Sequence, residues 1–279
     1  MSNKVSFEKL VAISLSKGSP EENEDKFHLR PDEGFISLSD GAGGYGLFAD
    51  DWATQLTQNI TPLHITTKND FQNNLRNLKI EYFNQKELWL TENSPEYLEK
   101  FFREGSAATY IAIHFREDVP QFRAIAYGDS AFFCYRPSTN TLIGSNIINL
   151  SVYTQYPVLF DCVDPEIEEK KLFFEYIDYQ KGDILLVASD AIAQYLLIEF
   201  MLQNEIYASE LETYLNYPHA LANYIYAIKE QRNINPISFT DLINQFFNFS
   251  SADFLAYFQT QQTAHTIAQD DYTLILLEL

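Results

Sequence analysis

Five acidic segments stand where apolar runs begin or end. Asp40 follows Phe35-Ile-Ser-Leu-Ser39 and is itself followed by Gly41. Asp190 follows the apolar run Ile184-Leu-Leu-Val-Ala-Ser189 and precedes Ala191; Asp270 and Asp271 precede the run that starts at Tyr272. Asn23-Glu24-Asp25 precedes Phe27 and Leu29, and Asp129 lies in Gly128-Asp-Ser130 just after Phe122 to Tyr127. One such acid alone is an ordinary turn or helix cap. Together, at strand ends on one side of a sheet, they are expected to face a single point. Two carboxylates ~4 Å apart repel by about 4 kcal/mol at an effective dielectric of 20. Three or more must take up protons or hold a cation. Oxygen-only donors select hard divalent ions, so Mg²⁺ or Mn²⁺ is expected rather than zinc. Gly41 has no Cβ, which lets its carbonyl approach an ion. Two ions bridged by one carboxylate and a water would acidify that water, and the hydroxide could attack phosphorus in line.

Other chemistries find less support. The chain has 279 residues and a formal net charge of −20, which argues against nucleic acid and against anionic membrane surfaces as partners. Bound cations would supply the positive field that the chain lacks. Two cysteines, Cys134 and Cys162, are too few for a disulfide framework or a Cys-based zinc site, and reduced, packed thiols are expected. The first residues lack a signal-peptide pattern, and no run approaches the ~20 apolar residues of a membrane span, so a cytoplasmic location is expected. His28, His64, His114, His219 and His265 show no metal-ligand spacing. No Gly-x-Ser-x-Gly elbow and no P-loop lysine occur. Gly41-Ala-Gly-Gly-Tyr-Gly46 lacks a Gly-Lys-Ser/Thr ending and reads as the turn of the metal site.

The elements that must position these acids follow from periodicity. Strands are expected over Val5–Ser14, Phe35–Ser39, Thr109–Phe115, Phe122–Tyr127, Asp183–Ser189, Tyr272–Leu279 and Lys170–Tyr179. Ile111, Ile113 and Phe115 alternate onto one face. Phe48, Trp52 and Leu56 share a helix face, and Asp70 to Leu90 carries Phe71, Leu75, Leu78 and Tyr82 at helical spacing. Ser94-Pro95 reads as an N-cap and first residue of a helix toward Arg103. A helix is also expected over 191–202, and one or more helices in each of 207–230 and 238–262. Without linker, repeat or low-complexity tract, residues 1–279 are expected to form one domain of mixed α and β structure, with 46% apolar and 15% aromatic residues to fill its core.

In this order the motifs resemble those of the PP2C (PPM) family of metal-dependent protein phosphatases. The resemblance runs nearly the full length: Asn23-Glu-Asp25, Ser39-Asp-Gly-Ala-Gly-Gly44, Gly105-Ser-Ala-Ala-Thr109, Tyr127-Gly-Asp-Ser130, Ala188-Ser-Asp190 and Asp270-Asp-Tyr-Thr-Leu-Ile275. It implies an α+β fold, an α-β-β-α sandwich of two antiparallel sheets flanked by helices. It implies a centre of two Mn²⁺ or Mg²⁺ ions. Asp40 would bridge both ions and Gly41 would offer its carbonyl. Asp190 and Asp270 would bind the first ion and Glu24 the second, directly or through water. Asp129 would serve a third, weaker ion, and Asp25 and Asp271 would stand behind the ligands. The implied activity is hydrolysis of phosphoserine or phosphothreonine in a protein substrate by metal-bound hydroxide, without a phosphoenzyme, and a monomer is expected.

The chain departs from the family at several positions. The Arg that clamps the substrate phosphate is replaced by Pro20, which leaves Lys17, Lys26 or Arg30 as substitutes. A His proposed as general acid is Ala42, the Gly after the Ser-Asp motif is Ala191, and an Asp serving the third ion is Gln194. The connection within residues 131–182 is shorter than the flap of many bacterial members, so substrate selection is expected to differ. Pro20 and Gln194 motivate an alternative, a catalytically weak or inactive regulatory or binding module. Hydrolysis of a small phosphorylated metabolite is a third reading.

Overall fold

A computed structural model describes residues 7–60, 65–163, 167–216 and 220–279 of the chain. In chain order the strands are β1 (Lys9–Leu15), β2 (Lys26–Arg30), β3 (Phe35–Ser39), β4 (Gly41–Gly46), β5 (Ser106–Ala108), β6 (Tyr110–Phe115), β7 (Gln121–Tyr127), β8 (Ala131–Arg136), β9 (Thr141–Ser145), β10 (Phe160–Asp161), β11 (Phe173–Asp178), β12 (Ile184–Ala188) and β13 (Tyr272–Glu278). The α-helices are α1 (Ala49–Asn59), α2 (Lys68–Asn93), α3 (Leu98–Glu104), α4 (Asp190–Met201), α5 (Ala208–Leu215), α6 (Ala220–Ile234), α7 (Phe239–Asn248) and α8 (Ser251–Thr263). Among the described residues two compact units emerge. The first holds Gly18–Ser130 and Val158–Gln180; the second holds Phe7–Lys17, Ala131–Pro157 and Lys181–Leu279.

The first unit is built on a five-stranded antiparallel sheet of order β11-β7-β6-β3-β2, with a small sheet β10-β5-β4 and helices α1 to α3. Trp52 and Leu56 of α1, Phe71 and Tyr82 of α2, Phe101 of α3 and Tyr110 of β6 meet in one core. Trp52 is fully buried because its indole N–H finds an acceptor, the Phe160 carbonyl at 2.7 Å. Cys162 packs at the edge of this core, where its Sγ accepts the Ser106 N–H at 3.2 Å.

Burial pushes the Cys162 thiol up from an ordinary 9.0 to about 11. Its folded pKa thus exceeds the unfolded one, so the associated stability is intact below about pH 9 and is lost as pH rises through about 11. Cys162 alone is expected to contribute a decline of about 2–3 kcal/mol to urea unfolding across this window, beside that of Cys134, whose thiol is also pushed up by burial. Cys162→Ala should flatten that decline relative to the parent; an unchanged slope would remove the thiol as its source.

The second unit has the sheet β1-β13-β12-β8-β9, antiparallel throughout, and helices α4 to α8. Its core joins Phe133 and Tyr135 of β8, Leu186 of β12, Leu196 and Phe200 of α4, Phe246 of α7, Phe258 of α8 and Leu274 of β13. In α7 the buried residues Phe239, Leu242, Ile243 and Phe246 fall at positions i, i+3, i+4 and i+7 of one helix face. Ser250 and Asp253 form a reciprocal capping box that starts α8, so 238–262 is two helices. Cys134 and Cys162 are both free and buried.

Several expectations need correction. Gly41–Gly46 forms strand β4 rather than a bare turn, because it pairs with β5. Ser94 and Pro95 do open the helical stretch toward Arg103 as N-cap and first residue, but it starts as a 3₁₀ turn over Pro95–Tyr97 ahead of α3 and without a side-chain cap, while the Ser94 N–H closes α2 on the Leu90 carbonyl. Lys170 and Lys171 lie in a 3₁₀ turn ahead of β11. The first strand begins at Lys9; Val5 and Ser6, and likewise His64 and His219, lie outside the described residues. Strands β8 and β9 were not expected from the sequence, since Ala131-Phe-Phe-Cys-Tyr shows no alternation.

Candidate active site

Strand register decides which acids meet. In the first unit Lys26 pairs with Ser39, so Glu24 and Asp25, just before β2, lie beside Asp40, just after β3. The Gly41 N–H donates to the Glu24 carbonyl at 3.3 Å. Leu38 pairs with Ile111 and Tyr110 with Tyr127, which brings Thr109 and then Gly128 to the same sheet end. Glu24, Asp25, Asp40 and Asp129 therefore stand at one end of this sheet, with Gly41, the first residue of β4, beside them.

Thr109 fastens this end. Its N–H donates to the Asp40 carbonyl at 2.9 Å, and its Oγ1 accepts the Asp40 N–H at 3.1 Å. The same Oγ1 hydrogen-bonds Ser130 Oγ at 2.7 Å, and its carbonyl accepts the Ser39 hydroxyl at 2.6 Å. Thr109 is 2% exposed, so water cannot replace these partners. Thr109→Val keeps the shape and strips Oγ1. It is expected to cost about 1–3 kcal/mol in urea unfolding. A loss under about 0.5 kcal/mol would show that backbone pairing alone holds this end.

Glycines make the close approaches here. A Cβ on Gly41 would lie 2.9 Å from the Ala49 carbonyl carbon and oxygen and 3.0 Å from the Glu24 carbonyl oxygen. A Cβ on Gly43 would overlap the Glu24 carboxylate, so that carboxylate rests against the backbone of β4. The Gly43 contact was not legible in the sequence beyond the glycine itself. Asp25 is buried, and its N–H donates to Asn23 Oδ1 at 2.9 Å. Asp129 is also buried.

The second unit gathers its own acids. Ser189, the residue before α4, bonds β13 twice: its N–H donates to the Thr273 carbonyl at 3.0 Å and its Oγ accepts the Thr273 N–H at 3.0 Å. This clamp sets Asp190 beside the start of β13, where Asp270 and Asp271 stand. Asp190 Oδ1 accepts the Ala191 N–H at 2.6 Å at the start of α4, a site that favours negative charge. Burial lifts the Tyr272 phenol to about 12, and the negative charges of Asp270 and Asp190 push in the same direction. Asp271, buried, accepts the Lys17 N–H at 2.7 Å, and Lys17 Nζ donates to Asp270 Oδ1 at 3.1 Å.

Of the cations considered for the missing clamp, Arg30 stands at the far end of β2, opposite Phe35. There it donates to His28 Nε2, Glu33 and the Gln58 carbonyl. Five residues of strand separate the two ends by over ~13 Å, so Arg30 does not serve the acidic end. Lys26 does lie at the acidic end, with Nζ on the Asn23 carbonyl. His114, half-buried on β6, has its pKa lowered by burial and by the Arg123 charge.

Among the described residues no three His, Cys, Asp or Glu side chains gather as a ready metal cluster. The donors in each unit are nonetheless oxygens alone, the set that suits Mn²⁺ or Mg²⁺. The close approach of Gly41 to its neighbours also leaves no room there for a side chain.

No family model matches the sequence, and no curated protein matches it. Solved structures do. PppA, described as a key regulatory component of T6SS in Pseudomonas aeruginosa, is similar at TM-score 0.53 and 15% identity over 98% of each chain. The serine/threonine phosphatase Stp1 from Staphylococcus aureus is similar at TM-score 0.56 and 12% identity, over 100% of this chain and 97% of that one. The catalytic domain of the serine threonine protein phosphatase PstP, in complex with two manganese ions, is similar at TM-score 0.50 and 14% identity over 97% of each chain. From end to end, then, this chain has the fold of the PP2C/PPM serine/threonine phosphatases.

Proposed function

We propose that the protein is a phosphomonoester hydrolase acting on phosphoserine or phosphothreonine in proteins. In this reading Asp40, Asp190 and Asp270 are the principal ligands of two Mn²⁺ or Mg²⁺ ions, with Glu24 and the Gly41 carbonyl beside them. Asp129 is the candidate ligand for a third, weaker ion. The observation that carries the reading is the placement of Asp40 and Glu24 at one sheet end, with Gly41 beside them, in a phosphatase fold that spans nearly the whole chain. When bound, such ions acidify a water and neutralise charge on the phosphoryl group. The chain's own contribution is positional. Thr109 holds the Asp40 backbone from both sides, Ser189 holds Asp190 against β13, and Lys17 holds the Asp270–Asp271 segment. A cytoplasmic, monomeric enzyme belongs to the same proposal.

A second reading is a weak or inactive module that keeps the fold for regulation. One contact favours it: Lys17 Nζ sits on Asp270 Oδ1, where an ion would need that oxygen. Gln194 and Pro20 point the same way, and the similar PppA is described as a regulatory component. Calorimetric titration with Mn²⁺ beside a phosphopeptide assay separates the two. Saturable Mn²⁺ binding with turnover supports the hydrolase. Absence of turnover on every phosphomonoester at saturating Mn²⁺ overturns it and leaves the regulatory module.

A further inference from the structure

A cleft opens in the helical layer of the second unit, with a volume of about 1030 Å³ and walls from α4, α6, α7 and α8. Glu199 of α4 lines it, nine residues beyond Asp190 and therefore about 13 Å further along the helix axis. Its side chain is only 3% exposed, and it interrupts an otherwise apolar run, Tyr195-Leu-Leu-Ile-Glu-Phe-Met201. A buried acid of this kind must be paired. Glu199 Oε2 accepts Arg232 Nη1–H at 2.7 Å, and Oε1 accepts the Tyr195 hydroxyl at 3.2 Å. Tyr195 in turn shares a hydrogen bond of 2.6 Å with Tyr257.

The geometry of Arg232 is incomplete for a purely structural pair. In the same unit Arg136 closes on buried Asp183 with its Nε and Nη2 edge, at 2.8 and 2.7 Å, the bidentate form that best compensates burial. Arg232 instead spends one terminal nitrogen on Glu199. Its Nε and Nη2 edge has no acceptor among the described residues, and the side chain is 19% exposed in the cleft. That edge is a planar two-donor fork, matched to a planar two-oxygen acceptor. Leu242, Phe249 and Tyr257 also line the cleft and give it apolar surface. Two further carboxylates, Asp241 and Asp253, also line the cleft, and each is engaged by its own helix cap, Ser238 and Ser250. Their charges repel a dianion about twice as strongly as a monoanion.

We propose that this cleft binds a small monocarboxylate with an apolar or aromatic body, its carboxylate on the Nε and Nη2 edge of Arg232. The site is independent of Asp40, Asp190 and Asp270. The test is calorimetric titration of the full chain with N-acetyl-phenylalanine, its methyl ester and phenylphosphonate. N-acetyl-phenylalanine should bind saturably at millimolar concentration or below, and the ester about tenfold or more weaker, since it loses the charge-assisted bonds. Phenylphosphonate should also bind more weakly. Arg232→Lys keeps a cation for Glu199 and loses the fork, and should weaken the acid about tenfold. Should that variant fail to fold, Glu199→Gln/Arg232→Gln removes both charges together and should also lose binding. Asp40→Asn should bind as the parent does. No saturable binding of the acid, an ester or phosphonate that binds as well, or binding that survives the Arg232 variants would each overturn the proposal.

Discussion

Asp40→Asn is expected to lower Mn²⁺-dependent hydrolysis of a phosphoserine peptide by on the order of 10³-fold, while the urea unfolding midpoint stays within experimental scatter of the parent. The two halves of this expectation have different physical sources. Asp40 is held by its backbone: its N–H and carbonyl both bond Thr109, and an asparagine keeps both contacts. The substitution is nearly isosteric and removes one negative charge from a chain of net −20, so the fold loses little. On the proposed hydrolase reading the chemistry loses much more. A neutral amide is a poor ligand for a hard divalent ion, and several kcal/mol of charge stabilisation in the transition state would go with it. Parallel circular dichroism and phosphopeptide kinetics check the pair. Full activity in Asp40→Asn would remove Asp40 from the chemistry, and unfolding would assign it to stability instead.

Gly128→Ala is expected to be the most damaging change at this sheet end short of removing an acid, at about 3 kcal/mol of unfolding free energy. Gly128 has φ +112°, a backbone region that residues with a Cβ seldom enter. An added methyl would also lie 2.7 Å from the Thr109 Cβ and Cγ2. Thr109 cannot yield, because it is hydrogen-bonded to Asp40 and Ser130 at once. Gly182→Ala is the control: φ is +86°, but a Cβ there would meet nothing within 4 Å. It should cost only the conformational part, about 1 kcal/mol. Denaturant midpoints for both variants measure the difference. Equal losses would show that the contact with Thr109 carries no weight.

Much of the architecture was legible in the residue order. Strands β3, β6, β7, β12 and β13 and helices α1, α2 and α4 fall where the sequence pattern put them: alternation marks β6, helical spacing marks α1 and α2, an unbroken apolar run marks β12, and α4 follows it directly. Strand β8 escaped because Ala131 to Tyr135 is a short unbroken apolar run, a pattern that buried strands and buried helix segments share. Strand β4 escaped because its glycines suggest a turn, whereas in the extended segment Gly41 is crowded by the Ala49 and Glu24 backbone and Gly43 by the Glu24 carboxylate.

At the candidate active site, the amino-acid order alone determined where the acids stand along the chain and that their oxygens suit a hard cation. Composition and local pattern suffice for that, because each acid abuts an apolar run. Which groups meet was decided only by tertiary structure. Thr109 reaches Asp40 across 69 positions of sequence, Lys17 reaches Asp270 across 253, and Arg232 reaches Glu199 across 33. Such partners are brought together by strand register and helix packing, and neither is written in any local window of residues.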